Sequence, residues 1–139
     1  MQLKKIMTPE VERLPKDASI QAVAQKMKEL DVGMIPVYDG DRLVGMVTDR
    51  DIALRVVAEG RDVASTPAHT VMTPEVIYCF EDQTVEEAAQ VMEKHQIRRL
   101  IVLNRDKRLV GIVSLGDLAT NRQGKKAAGD ALSEISKAA

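Results

Sequence analysis

Two stretches of this chain are copies of one another, and that duplication limits the possible folds more than any other feature. Met7-Thr8-Pro9-Glu10-Val11 recurs as Met72-Thr73-Pro74-Glu75-Val76. At the same spacing Asp17 matches Asp82, Ala24-Gln25 match Ala89-Gln90, Met27 matches Met92 and Val37 matches Val102. One extra residue then enters the second copy. Beyond it Arg42-Leu43-Val44-Gly45 matches Arg108-Leu109-Val110-Gly111, Asp51 matches Asp117 and Ala53 matches Ala119. The expected organisation is a first repeat over 3–60, a linker over 61–70, a second repeat over 71–120 and a tail over 121–139. Repeats this short bury so little surface that each is marginal alone. They are expected to close on each other through their sheets about a pseudo-two-fold axis.

Within each repeat the apolar spacing predicts strand, helix, strand, strand, helix. Ile20, Val23, Ala24, Met27 and Leu30 follow helical spacing, as do Val85, Ala88, Ala89 and Met92. Thr84 followed by Glu87 is a capping box that fixes the start of the second of these helices. Met34 to Tyr38 and Arg99 to Leu103 read as strands, and Asp39-Gly40-Asp41 is turn chemistry before the returning strand Leu43 to Val47. A further helix is expected from Asp49 to Gly60, with Ile52, Ala53, Val56 and Val57 inward, and its twin from Leu115 to Thr120. Val11 to Leu14 and Val76 to Phe80 are the expected first strands. The class is therefore α+β. The tail carries Ala128, Ala131, Leu132 and Ile135 at helical spacing and is expected to dock on a partner subunit or to fray.

Composition narrows the function. Lys and Arg number 20 against 21 Asp and Glu, a net charge of −1, and the aromatics are two Tyr and one Phe with no Trp. Nucleic-acid binders usually carry a basic excess, and single-strand binders stack bases on aromatic rings. A DNA role through Lys125-Lys126 is correspondingly weak. One cysteine, Cys79, excludes an intramolecular disulfide. Neither a leader-length apolar segment nor a run of 18 apolar residues occurs, which points to a cytoplasmic protein without a membrane span. His69 has no ligand-spaced partner, and His95 is expected to be a partly buried packing residue. Cys79, Tyr78 and Phe80 are expected to pack in a strand. No nucleophile–base pair or metal-spaced cluster emerges, so no enzyme is expected.

The most informative segment is the end of each hairpin. Gly45-Met46-Val47-Thr48-Asp49-Arg50-Asp51 becomes Gly111-Ile112-Val113-Ser114-Leu115-Gly116-Asp117 in the second copy. A hydroxyl residue followed three positions later by Asp is a helix N-cap. The same turn suits a phosphate, and its Asp suits a pair of ribose hydroxyls. In the second copy Arg98-Arg99 enters a strand beside this turn, either as a phosphate clamp or as a solvated pair. The first copy has Gly33-Met34 there and carries Arg50 in its own turn, so the two sites are expected to be unequal.

The Met-Thr-Pro openings, the Ala-Gln-Lys-Met and Ala-Gln-Val-Met helices, Ile35-Pro36-Val37 and the paired Gly-x-Val-Thr/Ser-x-x-Asp endings make the chain resemble tandem CBS domains. This family is named after cystathionine β-synthase, and its pairs are called Bateman modules. The resemblance covers residues 3 to 120; Ile101 departs from it where the family usually has Pro. It implies a regulatory sensor of AMP, ADP or ATP, less often S-adenosylmethionine or NAD, bound in inter-repeat clefts. The implied contacts are Asp51 and Asp117 to ribose, and Thr48 and Ser114 to ribose or phosphate. Beside those contacts, the reading of the residues themselves offers Arg50, Arg98 and Arg99 to the phosphate and Met34, Ile35, Pro36 and Met46 to an adenine pocket. The resemblance also implies a flat homodimer and an effector protein that reads the conformational change. The alternative is a ligand-free scaffold in which Thr48 and Ser114 are caps alone.

Overall fold

The computed structural model describes residues 1–9, 11–121 and 124–137. The chain forms two compact units, one of Glu12–Val76 and one combining Met1–Val11 with Ile77–Ala139. We call them the central and the composite unit.

In the central unit the sheet order is β2 (Leu14–Pro15), β3 (Met34–Asp39) and β4 (Arg42–Thr48). β2 runs parallel to β3, and β3 and β4 form an antiparallel hairpin turned at Gly40, whose φ of 61° suits glycine. Helix α1 (Ile20–Leu30) starts where the Ser19 side chain accepts the Ala22 N–H, and it ends at Asp31 in the left-handed conformation. Ile20, Val23 and Met27 seal its inner face against Ile35, Val37, Val47, Val56, Ala68 and Val71. After β4 comes α2 (Asp49–Ile52), which continues as a π-helical turn over Ala53–Val57. That widening corrects the expected helix to Gly60. Val56 is buried and Ile52 half-buried, whereas Ala53 is exposed and Val57 is 66% exposed. A π turn rotates the following residues off the 3.6-residue stripe.

In the composite unit the sheet order is β1 (Thr8–Pro9), β7 (Leu109–Ser114), β6 (Arg99–Leu103) and β5 (Tyr78–Phe80). Helix α3 (Val85–His95) opens with the expected capping box: Glu87 N–H donates to Thr84 Oγ1, and Thr84 N–H donates to Glu87. The β6–β7 turn carries the extra residue. There Asn104 Oδ1 accepts the Asp106 and Arg108 N–H groups, and Lys107 takes a φ of 59°. Helix α4 (Leu115–Ala119) follows β7, and α5 (Lys125–Lys137) packs on α3 and α4. Ala128, Ala131 and Ile135 join the core of their own unit. Over Lys125–Lys137 the tail is therefore a helix whose inner face packs on its own unit, while Leu132, expected on that stripe, is exposed. His95, in the last turn of α3, is exposed rather than partly buried, as is its counterpart Leu30. The stripe at both sites has rotated out by the final turn.

The units cross the repeat boundaries. Met7-Thr8-Pro9, from the first repeat, pairs with β7 of the second, with Pro9 opposite Gly111. Thr73, from the second repeat, bridges Met46 on β4 of the first. A Cβ on Gly111 would sit 2.6 Å from Met7 Sδ and 2.9 Å from the Thr8 carbonyl oxygen. On Gly45 it would sit 2.7 Å from both Met72 Sδ and the Thr73 carbonyl oxygen. The repeated Met-Thr and the repeated glycine are thus two halves of one contact.

Gly111→Ala is expected to destabilise by about 1–3 kcal/mol, because the backbone at Thr8 must move. Gly129, exposed within α5 with open space around it, should gain about 0.5–1 kcal/mol as Ala. Denaturant midpoints of the two variants on opposite sides of the wild type check the pair.

Candidate functional site

Each returning strand ends in a closed capping box. In the central unit Asp51 N–H donates to Thr48 Oγ1 at 3.1 Å, and Thr48 N–H donates to Asp51 Oδ2 at 2.9 Å. In the composite unit Asp117 N–H donates to Ser114 Oγ at 3.0 Å, and Ser114 N–H donates to Asp117 Oδ2 at 2.8 Å. Each carboxylate spends one oxygen on the cap and keeps Oδ1 for other donors. Each hydroxyl accepts within the cap and keeps its own proton for an acceptor.

Register fixes what lies beside each box. Met34 pairs with Thr48 and Pro36 with Met46, so these four side chains share one face of the central sheet. Met34, Pro36 and Met46 are buried there. Ile35 is a correction: it pairs with Val47 in the core on the opposite face, and cannot line a pocket with the other three. In the composite unit Arg99 pairs with Ser114 and Ile101 with Ile112 on the equivalent face. The Arg98 carbonyl accepts the Leu115 N–H at 2.8 Å, as the Gly33 carbonyl accepts the Asp49 N–H at 3.0 Å. Arg98, Arg99, Ser114 and Asp117 are therefore gathered within one unit, while Thr48, Arg50, Asp51, Met34, Pro36 and Met46 are gathered in the other. Arg50 and Arg98 are exposed and Arg99 half-buried.

The sequence missed one cation. Arg55, on the π-helical turn, lies 3.8 Å from Asp51 Oδ1 through Nη1 and donates from the same nitrogen to the Val71 carbonyl at 2.7 Å. Its i+4 relation to Asp51 was the available signal.

Other titratable groups are engaged locally. Burial, and then Glu87, push the Cys79 thiol up to about 11, so it is a poor nucleophile. Tyr78 and Phe80 meet edge to face at 5.5 Å, and Arg105 covers Phe80 at 4.1 Å. His69 Nε2 lies 3.7 Å from Asp17 on the surface of the central unit. Among the described residues no group of three or more His, Cys, Asp or Glu is gathered to hold a metal ion. Likewise, no helix of the described residues is long and apolar enough to cross a membrane. Lys126 lines a groove of about 350 Å³ with Glu86, Glu93 and Asp130, acidic company that disfavours a DNA contact.

Replacing Thr48 or Ser114 by Ala removes a cap acceptor and is expected to cost about 1 kcal/mol in each case, read from thermal or denaturant unfolding. A second expectation concerns acid. The hydrogen bonds from Arg105 hold the Asp82 carboxyl below the ordinary range. A folded value below the unfolded one means that this contribution is present above about pH 4 and is lost as pH falls through the folded value. The melting difference between wild type and Arg105→Gln should shrink with acidification; a constant difference would assign the effect to the Phe80 contact alone.

The chain is similar to known proteins. The CBS domain profile matches residues 3–58 and again 68–124. The CBS domain-containing protein YhcV of Bacillus subtilis is 46% identical over 134 residues, spanning 96% of this chain and 94% of that protein. The CBS domain protein PAE2072 from Pyrobaculum aerophilum, solved in complex with AMP, superposes with a TM-score of 0.82 at 30% identity, covering 94% of this chain and 99% of that one. The CBS domain pair of protein MJ0100, solved with 5′-methylthioadenosine and S-adenosyl-L-methionine, superposes at 0.79 with 28% identity, covering 90% and 98%. The fold, the doubled motif and these matches agree: the chain belongs to the CBS domain family, as a tandem pair.

Proposed function

We propose that the chain is a regulatory module that binds adenosine-containing nucleotides of the AMP, ADP and ATP class and signals by conformational change to an effector protein. S-adenosylmethionine and NAD are the lesser candidates. The observation that carries the reading is the twin arrangement of hydroxyl and carboxylate at Thr48–Asp51 and Ser114–Asp117, each keeping a carboxylate oxygen for a donor. A ribose diol supplies two such donors. The ligands of PAE2072 and MJ0100, all adenosine derivatives, support the same class.

On this reading the two sites differ in charge. Arg98 and Arg99 beside Ser114 offer guanidinium donors to a phosphate, where the central unit presents Gly33 and Met34. The Asp117 site should therefore hold a phosphate through its strand arginines, and the Asp51 site, with Met34, Pro36 and Met46 alongside, must rely on Arg50 and Arg55, so the two should rank phosphorylated ligands differently. A homodimer belongs to the proposal; Leu54 and Val57, 50% and 66% exposed, offer it an apolar surface on the π-helical turn.

The alternative is a scaffold of the same fold that binds no nucleotide, favoured by the fact that the caps already account for Thr48, Asp51, Ser114 and Asp117. Calorimetry and thermal melting with AMP, ATP and S-adenosylmethionine separate the two. A ligand at 100 times its dissociation constant should add about 2.7 kcal/mol of stability. Asp51→Asn and Asp117→Asn, which keep the side-chain shape, should each weaken one site by about ten-fold or more. Neither heat nor a melting shift with any of the three would establish the scaffold instead.

A further inference from the structure

The cap leaves Asp51 with one oxygen, Oδ1, and that is the oxygen Arg55 faces. The same guanidinium nitrogen holds the carbonyl of Val71, a fully buried residue. Two residues on, Thr73 exchanges hydrogen bonds with Met46: its N–H donates to the Met46 carbonyl at 2.9 Å, and Met46 N–H donates back at 3.1 Å. Arg55 therefore ties the candidate ligand carboxylate to the segment laid across Gly45. In the composite unit an uncharged residue, Asn121, occupies the position that matches Arg55 by the repeat spacing.

We propose that Arg55 is a positioning residue that orients the Asp51 carboxylate and couples its occupancy to the Val71–Thr73 segment. The ligand half of this proposal rests on the nucleotide reading; the tie itself exists in the ligand-free protein. A hydroxyl donated to Oδ1 competes with the guanidinium for one oxygen. Occupancy then changes the restraint that Arg55 places on the Val71 carbonyl. By linkage, the factor by which occupancy shifts that restraint is the factor by which the restraint shifts ligand affinity.

Amide hydrogen exchange on the full chain tests this in two arms. Without ligand, Asp51→Asn and Arg55→Gln should each speed exchange at Thr73. The double variant should fall short of the product of the two effects by about three-fold, the scale of a partly exposed ion pair. Arg55→Lys should recover part of the protection, because it keeps the charge without the fork. Independent effects in the double variant would overturn the tie, as would equal acceleration across α1, which marks general destabilisation. With saturating AMP, wild type should show altered exchange at Thr73 and Arg55→Gln should not. A wild-type response in Arg55→Gln would overturn the coupling. If none of AMP, ATP and S-adenosylmethionine binds either protein, the nucleotide reading falls and the ligand half with it, while the ligand-free arm still decides whether Arg55 links Asp51 to Val71.

Discussion

The passage of a Met-Thr segment over a bare glycine is the contact on which each unit depends. Gly45 and Gly111 lie where their strands face the core, and Met72 and Met7 pack against those cores from above them. Without a Cβ the crossing backbone comes close enough to hydrogen-bond, which settles buried peptide groups that would otherwise be orphaned. The same contact pins the second half of β4 or β7. The capping hydroxyl stands three residues further along, so its position is set by the glycine as much as by its own helix.

Helix initiation and ligand binding make the same demand at that point. A capping box needs a hydroxyl and a carboxylate three residues apart, with one carboxylate oxygen turned to the backbone. This leaves the second oxygen at the strand end, held without the entropic cost of ordering it afresh. The two units then diverge by charge. Arg99 stands where Met34 stands in the other copy, and Asn121 where Arg55 stands. Duplication preserved the box and left its surroundings to vary.

Most local features were legible because local residues determine them. The Thr84–Glu87 box, the turn at Gly40 and the α1 stripe of Ile20, Val23 and Met27, though not Ala24, follow from neighbours within a few positions. Errors appear where a pattern outruns its element. Apolar spacing continues through Ala53 and Val57, yet the π turn carries them outward; Leu30 and His95 extend a stripe whose helix has already turned away. The crossing of Met7-Thr8-Pro9 into the composite unit was invisible for a different reason. Two identical segments can satisfy two identical glycines in either pairing, and nothing in the motif says which it meets. Arg55 was missed because its partners, an acid on its own helix and a carbonyl sixteen residues on, belong to separate patterns.

The composite unit joins the first eleven residues of the chain to its second half. During synthesis every residue of the central unit has been made once Val76 has been added. Met1–Val11 leaves the ribosome before the central unit does, yet its strand partner, β7, is made more than a hundred residues later. That long closure is entropically modest but slow. That segment is thus among the last to settle, and until then Leu3, Ile6 and Met7 lack the core they pack against.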